Sequence, residues 1–392
     1  MPHIVAKHFH HFDTPVTKEG YRFLWFARPL VNAKDELVAV EYDKKPFLLT
    51  IKPKRDGTFV IKGDKITRLS PTVLMKMALK NFCDLAQCDV LHDNLSTIKT
   101  SHAQKAREFL KEIDFFIEQF PKNKEVWIEI GFGSGRHLLY QAQQHPDTIF
   151  IGIEIHKPSI EQTLKQIALK DLKNLYIIDY DARLFLEFVP SNVVGKIFVH
   201  FPVPWDKKPH RRVFSKPFIE EAKRVLKVDG VLELRTDSIN YFEYALDLLL
   251  QEKRVRFEVT KNIEPPISSK YEDRWTRLGK DIYDIRMFNL EFSEQPVLEC
   301  DFSFNTFSYD EDKLEQVSFA PKVFDGYFVH FEKLYAIENG GRLMRLSFGS
   351  FDRPEHKYLL FKDGKVSYFP KKPVLSKANV AAHKKILELL HG

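Results

Sequence analysis

Residues 127–137 read WIEIGFGSGRH and place Gly131, Gly133 and Gly135, three of the chain's 16 glycines, within five positions. An apolar run leads into them and an amphipathic stretch, RHLLYQAQQH, follows, so the glycines occupy a sharp turn from a strand into a helix. A Cβ there would block both the turn and the approach of a ligand to the backbone. The stretch therefore predicts the first strand, ligand loop and first helix of an α/β sheet.

The pattern continues outward from that loop. Between about 125 and 290 the apolar runs EVWIEI, TIFIGIE, NLYIID, KIFVHF and VLELRTD alternate with amphipathic stretches that include PSIEQTLKQIALK, ARLFLEF and SKPFIEEAKRVLK. Strand and helix in strict alternation imply a parallel sheet with helices on both faces. Lys157-Pro158-Ser159 suits a helix start, and Val228-Asp229-Gly230 is expected to end a helix on a left-handed glycine.

The flanks differ from this centre. Asp56-Gly57 predicts a hairpin within KRDGTFVIKGDKITRLS, followed by a helix over PTVLMKMALKNFCDLAQ. The far end carries Asp363-Gly364 within YLLFKDGKVSYF and then a helix over SKANVAAHKKILELL. Hairpin then helix on both sides would follow from a diverged duplication, though that order is also common. The chain divides on this reading into an α+β extension over 1–100, an α/β domain over 101–291 and a β-rich extension over 292–392 that ends in a helix.

Composition narrows the function classes. The 392 residues suit two or three domains, and 44% hydrophobic residues suffice for a substantial core. Neither a membrane span nor a secretory leader is legible, so a cytoplasmic protein is expected. Cys83, Cys88 and Cys300 are too scattered for a disulfide framework or a zinc site, and no metal is expected. The net charge of +6 hints at an anionic partner only if it clusters locally.

The second strand ends in Glu154, nineteen residues after Gly135, where an acid accepts hydrogen bonds from ribose hydroxyls. A plain helix-capping role for Glu154 is the alternative. Asp181 stands at the start of the next helix, as a reader of adenine's exocyclic amine or as an N-cap. Glu129 precedes the glycine loop and would repel the pyrophosphate of a dinucleotide. The same acid attracts the ammonium and sulfonium of S-adenosylmethionine, so that cofactor is favoured over a nicotinamide dinucleotide.

The fourth strand leads into FPVPWDKKPHRRVFSK, a proline-stiffened loop carrying Trp205 and the cations Lys207, Lys208, Arg211, Arg212 and Lys216. At the carboxyl edge of the sheet this is a phosphate-tracking surface, a solvated basic loop being the bland alternative. Strand five ends in Asp237, whose carboxylate can accept from guanine N1–H and the 2-amino group. In SSKYEDRWTRLGKDIYDIR, residues 268–286, Lys270, Arg274, Arg277 and Lys280 interleave with Tyr271, Trp275 and Tyr283. That mixture suits an RNA with protruding bases, or a surface helix with internal ion pairs.

These segments together resemble the bacterial tRNA (guanine-N7)-methyltransferases. The residues that carry the likeness are EIGFGSG at 129–135, GIEIH at 152–156, DA at 181–182, FPVPWDKKPHRR at 201–212, RTD at 235–237 and SKYEDRWTRLG at 269–279. The resemblance implies a Rossmann-like class I S-adenosylmethionine-dependent methyltransferase core that methylates a variable-loop guanosine of tRNA. It assigns Glu129, Glu154 and Asp181, with the glycine loop, to the cofactor. Lys207, Asp237, Ser269, Lys270, Tyr271 and Glu272 fall to the substrate, and Lys208, Arg211, Arg212, Arg274 and Arg277 lie where RNA would pass. Two departures stand out: Val203 replaces the acid of the family's usual Pro-Asp-Pro-Trp loop, and both flanks exceed the usual length. N7 of guanine carries a lone pair and no proton, so the missing acid need not be a missing base. A non-catalytic RNA binder that kept the fold is the alternative from another class.

Overall fold

The computed structural model describes residues 2–67, 69, 72–95, 108–267, 272–273, 277–304 and 309–391. The N-terminal flank supplies β1 (His3–Ala6), β2 (Val16–Lys18), β3 (Tyr21–Val31), β4 (Glu36–Tyr42), β5 (Lys45–Pro53), β6 (Phe59–Gly63) and β7 (Val90–Asp93), with the helix Thr72–Leu85 between the last two. The expected Asp56-Gly57 hairpin joins β5 to β6, with Gly57 at φ +79° and Lys54 N–H donating to Thr58 O at 2.7 Å.

In the central segment the five expected strands form a parallel set: β8 (Val126–Ile130), β9 (Ile149–Glu154), β10 (Leu175–Asp179), β11 (Val194–His200) and β12 (Leu226–Thr236). All five residues of β8 are buried, which explains its unbroken apolar character apart from Glu129. Two further strands, β13 (Val255–Lys261) and β14 (Tyr283–Asn289), run antiparallel to each other, and β14 runs antiparallel to β12. The sheet order is β10-β9-β8-β11-β12-β14-β13. Sequence reasoning missed the last pair because β13, at the edge, is mostly exposed and alternates Val255, Phe257 and Val259 with polar residues, so it carries none of the unbroken apolar runs that marked the buried strands. The same finding corrects the end of the 268–286 segment, where Tyr283 lies on a strand and packs on Phe242 at 4.9 Å between rings.

Helices Arg136–Gln144, Lys157–Leu169 and Lys216–Val225 connect these strands as expected; ARLFLEF forms only the short helix Ala182–Phe185 and a 3-10 turn over Leu186–Phe188, and Ile239–Leu249 is a further helix that sequence reasoning did not mark. The third stops earlier than its glycine suggests. It ends at Val225, and Asp229 at φ +64° takes the left-handed position within β12 itself, where the pairing with β11 shifts register between Leu226 and Val231.

The C-terminal flank adds β15 (Lys322–Phe324), β16 (Tyr327–Ile337), β17 (Arg342–Gly349), β18 (Glu355–Lys362) and β19 (Lys365–Phe369), then the helix Lys377–His391. These strands do not form a domain of their own. β16 pairs antiparallel with β3, from Leu334 opposite Val31 to Ile337 opposite Ala27, so both flanks build one 12-stranded sheet. The compact units are therefore 1–99 with 298–392, and 100–297. Strand lengths from β2 to β6 are 3, 11, 7, 9 and 5 residues, and from β15 to β19 they are 3, 11, 8, 8 and 5. A helix follows each set, and the two sets meet at the β3–β16 seam, as two copies of one half would. The sheet also curls: Trp25 of β3 and Phe369 of β19 approach to 6.2 Å between rings across three intervening strands.

Candidate active site

Because β8 to β12 run parallel, their carboxyl ends bring the glycine loop, Glu154, Asp181, the Pro202-Val203-Pro204 loop and Asp237 to one edge of the sheet. The glycines are left-handed, with φ +67°, +52° and +72° at 131, 133 and 135. A Cβ on Gly135 would stand 2.5 Å from Thr163 Oγ1, so helix Lys157–Leu169 packs against the turn only because the side chain is absent. A Cβ on Gly131 would meet nothing within 4 Å. The loop is thus pinned on one side and open on the other, as a nucleoside cradle must be.

Glu154 braces this cradle. Its Oε2 accepts from Gly133 N–H at 3.0 Å, and its Oε1 from the N–H groups of Ile155 and His156 at 2.8 and 2.9 Å. Each carboxylate oxygen keeps lone pairs, so the brace is compatible with accepting from ribose hydroxyls. Asp181 is more fully committed. It caps its helix through Arg183 N–H and holds the Arg183 side chain at 3.0 and 2.7 Å, the capping role that competed with adenine reading.

Glu129 is 3% exposed and accepts from His137 Nδ1 at 2.7 Å. Burial works against a charge on His137, but Glu129, Glu233 and Glu272 outweigh it and raise its pKa above the ordinary histidine value. The His137 ring lies 4.5 Å from that of His200 at the end of β11, and His200 Nε2 meets Glu233 Oε1 at 2.8 Å. Glu233 also accepts from Arg286 Nε at 2.8 Å. Burial would raise the Glu233 pKa, yet His200 and Arg286 bring it down to about 2.

Beside this chain of pairs sits Arg235, 6% exposed. Its Nη1 donates to both oxygens of Asp284 at 2.7 Å, and its Nη2 to Ile263 O at 2.8 Å and to Glu272. The two carboxylates outweigh burial and raise the Arg235 pKa, so the guanidinium stays charged. Glu272, expected to touch substrate, is instead 5% exposed and engaged in this ion pair. His137, His200, Glu233, Arg235 and Asp284 line a cavity of about 270 Å³. None was legible as a site residue: Lys196, Phe198, His200, Glu233 and Arg235 simply alternate along two strands, and the apolar residues between them mask the period of two that places them on one face.

The proline loop is held taut. Phe201 and Trp205 bracket it with φ +49° and +47°, unusual for such side chains, and Phe201 N–H donates to Arg235 O at 2.7 Å. Val203 is 61% exposed, and Arg211 lies over Trp205 at 5.1 Å. Lys207 and Lys208 are exposed and can face phosphates. Arg212 is not: it is 6% exposed, donates to Pro204 O at 2.7 Å and lies over Tyr244 at 4.4 Å, so it supports the loop from beneath. Asp237 is partly exposed and paired with Lys280 at 2.7 Å. Arg277 is exposed, and its Nε donates to Asp273 O. Ser269, Lys270, Tyr271 and Arg274 fall outside the described residues. Among the described residues no group of three or more His, Cys, Asp or Glu is placed to hold a metal ion, and no helix is long and apolar enough to cross a membrane.

Residues 123–285 match a family model described as "Putative methyltransferase". A relative from Wolinella succinogenes, named tRNA (guanine-N(7)-)-methyltransferase, is 46% identical over 392 residues, covering all of both chains. Relatives of the same name from Campylobacter fetus and Helicobacter pylori are 40% and 41% identical; the alignments cover 100% and 98% of this chain and 99% and 95% of theirs. The likeness thus runs through both flanks as well as the centre.

Proposed function

The chain belongs to the tRNA (guanine-N7)-methyltransferase family, and from that premise we propose how its residues carry S-adenosylmethionine-dependent methylation of guanine N7 in tRNA. The observation that carries the assignment is the single sheet edge where the open glycine loop, braced by Glu154, stands beside the taut Phe201–Trp205 loop. Bound S-adenosylmethionine would contribute a methyl carbon on a positively charged sulfur, an electrophile for the N7 lone pair.

The residues of the chain position the partners. Glu154 orders the loop and accepts from the ribose, while Glu129 supplies the negative charge that an ammonium group seeks. Asp237, oriented by its pair with Lys280, accepts from the Watson–Crick edge of guanine and leaves N7 facing the cofactor. Trp205 and the exposed cations Lys207, Lys208 and Arg211 guide the RNA strand past the proline loop. No side chain has to remove a proton, because N7 bears none, so the absence of an acid at Val203 leaves the reaction intact. Acceleration then comes from orientation and from acidic groups around a migrating positive charge.

The preferred guanosine lies in the variable loop and the reaction is cytoplasmic on this reading. Incubation of purified protein with unmodified tRNA and the cofactor, then chain cleavage at 7-methylguanosine, tests the assignment and locates the base. Cleavage at one variable-loop guanosine is expected; no cleavage anywhere overturns the mechanism, and cleavage elsewhere overturns the site.

A further inference from the structure

The flanking unit holds the chain's net charge. Residues 1–99 and 298–392 contain 30 basic and 24 acidic side chains, whereas residues 100–297 contain 30 of each. The whole excess of +6 therefore sits outside the methyltransferase segment.

Part of that charge lies on an open sheet face. At the β5-β6-β1-β7 end of the 12-stranded sheet, Ile51, Ile61 and Ile4 point toward helix Thr72–Leu85; a Cβ on neighbouring Gly63 would stand 2.6 Å from Met75 of that helix. The alternate residues point the other way. Lys52 is opposite Val60, Val60 opposite Val5, and Val5 opposite His92; in the next row Thr50 is opposite Lys62 and Lys62 opposite His3. Residues opposite one another share a face, so Lys52, Lys62, His3 and His92 stand on one surface four strands wide. Lys52 and His92 are exposed, and Lys62, His3, Val60 and Val5 are half-buried. Lys54 and Arg55 extend the surface at the exposed tip of the β5–β6 hairpin, where Asp56 is occupied by Thr58 N–H and Oγ1 at 3.0 and 2.6 Å. No acid lies on the exposed part of this face; Asp64, next after β6 on the same side, is buried and accepts from Ile66 and Thr67 N–H, and Lys52, Arg55 and Lys62 form no ion pair among the described residues.

We propose that this face, centred on Lys52, Arg55 and Lys62, is a second tRNA-binding surface that grips the phosphate backbone at a point other than the methylated guanosine. Unpaired cations on a solvent-facing sheet, interspersed with imidazole rings, match a polyanion that offers phosphates and stackable bases. A core without net charge gains affinity for a large folded RNA from such a surface, while the methyl-transfer site supplies the choice of base. The inference rests on tRNA being the substrate.

The test uses the full chain, wild type and Lys52→Ala/Arg55→Ala/Lys62→Ala, in filter binding to unmodified tRNA between about 50 and 200 mM salt. The logarithmic salt dependence should become shallower by about two to three, near one per lost phosphate contact. KM for tRNA should rise, while kcat at saturating tRNA and the affinity for S-adenosylhomocysteine stay at wild-type values. The charge-retaining Lys52→Arg/Lys62→Arg protein should keep the wild-type slope. A wild-type slope in the alanine variant, or equal loss in the charge-retaining one, overturns the proposal. Failure of the function reading looks different: wild type would bind tRNA with full salt dependence and transfer no methyl group to it.

Discussion

Arg235→Met removes a buried guanidinium and keeps the length of the side chain. In the wild type that group neutralises Asp284 and Glu272, which are 3% and 5% exposed, and also donates to Ile263 O. Two buried carboxylates would be left without a counter-charge, and breaking a buried ion network in this way costs about 3–5 kcal/mol. Urea denaturation at pH 8 should show that loss. Part of it should return as the pH falls, because unpaired buried carboxylates take up protons more readily in the folded state than in the unfolded chain. Arg235→Met/Glu272→Gln/Asp284→Asn removes every charge together and should recover most of the loss, since neutral groups of similar shape leave no buried ion. A single variant within about 1 kcal/mol of wild type, or a triple variant as unstable as the single, would refute the reading of Glu272 as part of a structural ion pair.

Glu154→Ala should weaken S-adenosylhomocysteine binding by about 1.5–3 kcal/mol in calorimetry and leave tRNA affinity near wild type; an unchanged cofactor affinity removes Glu154 from the ribose. His137, with its raised pKa, neutralises Glu129 when protonated, so affinity for the cofactor's ammonium should rise as pH rises through that pKa. In His137→Gln this rise should vanish, and calorimetric affinities that fall with pH in the wild type contradict the competition. Glu233, held near a pKa of about 2 against an ordinary 4.5, contributes stability that is fully present above 4.5 and is lost as pH falls toward 2. That contribution is of order 3 kcal/mol, and acid denaturation of Glu233→Gln should be correspondingly flatter, with an unaltered acid profile ruling it out.

The strands of the parallel sheet were legible because burial on both faces makes them apolar throughout, as in β8 and β9. The glycine loop and Glu154 were legible because backbone geometry and spacing constrain residue type there. The joined flanks were not, because pairing between β3 and β16 spans some three hundred residues and no local pattern encodes it. Arg212 looked like its neighbours Arg211 and Lys208 in sequence. Its bond to Pro204 O and the bed of Tyr241 and Tyr244 beneath it distinguish the inward arginine from the exposed cations. The polar cavity behind the active edge escaped for a related reason. His200, Glu233 and Arg235 gain meaning only when strands β11 and β12 lie side by side.

The central claim is that this chain methylates guanine N7 of tRNA by positioning, without a proton acceptor at Val203. Transfer of a labelled methyl group from S-adenosylmethionine to saturating unmodified tRNA, followed from pH ~6 to ~9 for wild type, Val203→Asp and Asp237→Ala, tests it most directly. Wild type should be active with no ascending limb from a catalytic base, Val203→Asp should add no such limb, and Asp237→Ala should lose most of kcat/KM for tRNA. An inert wild type that gains transfer only as Val203→Asp would contradict the account.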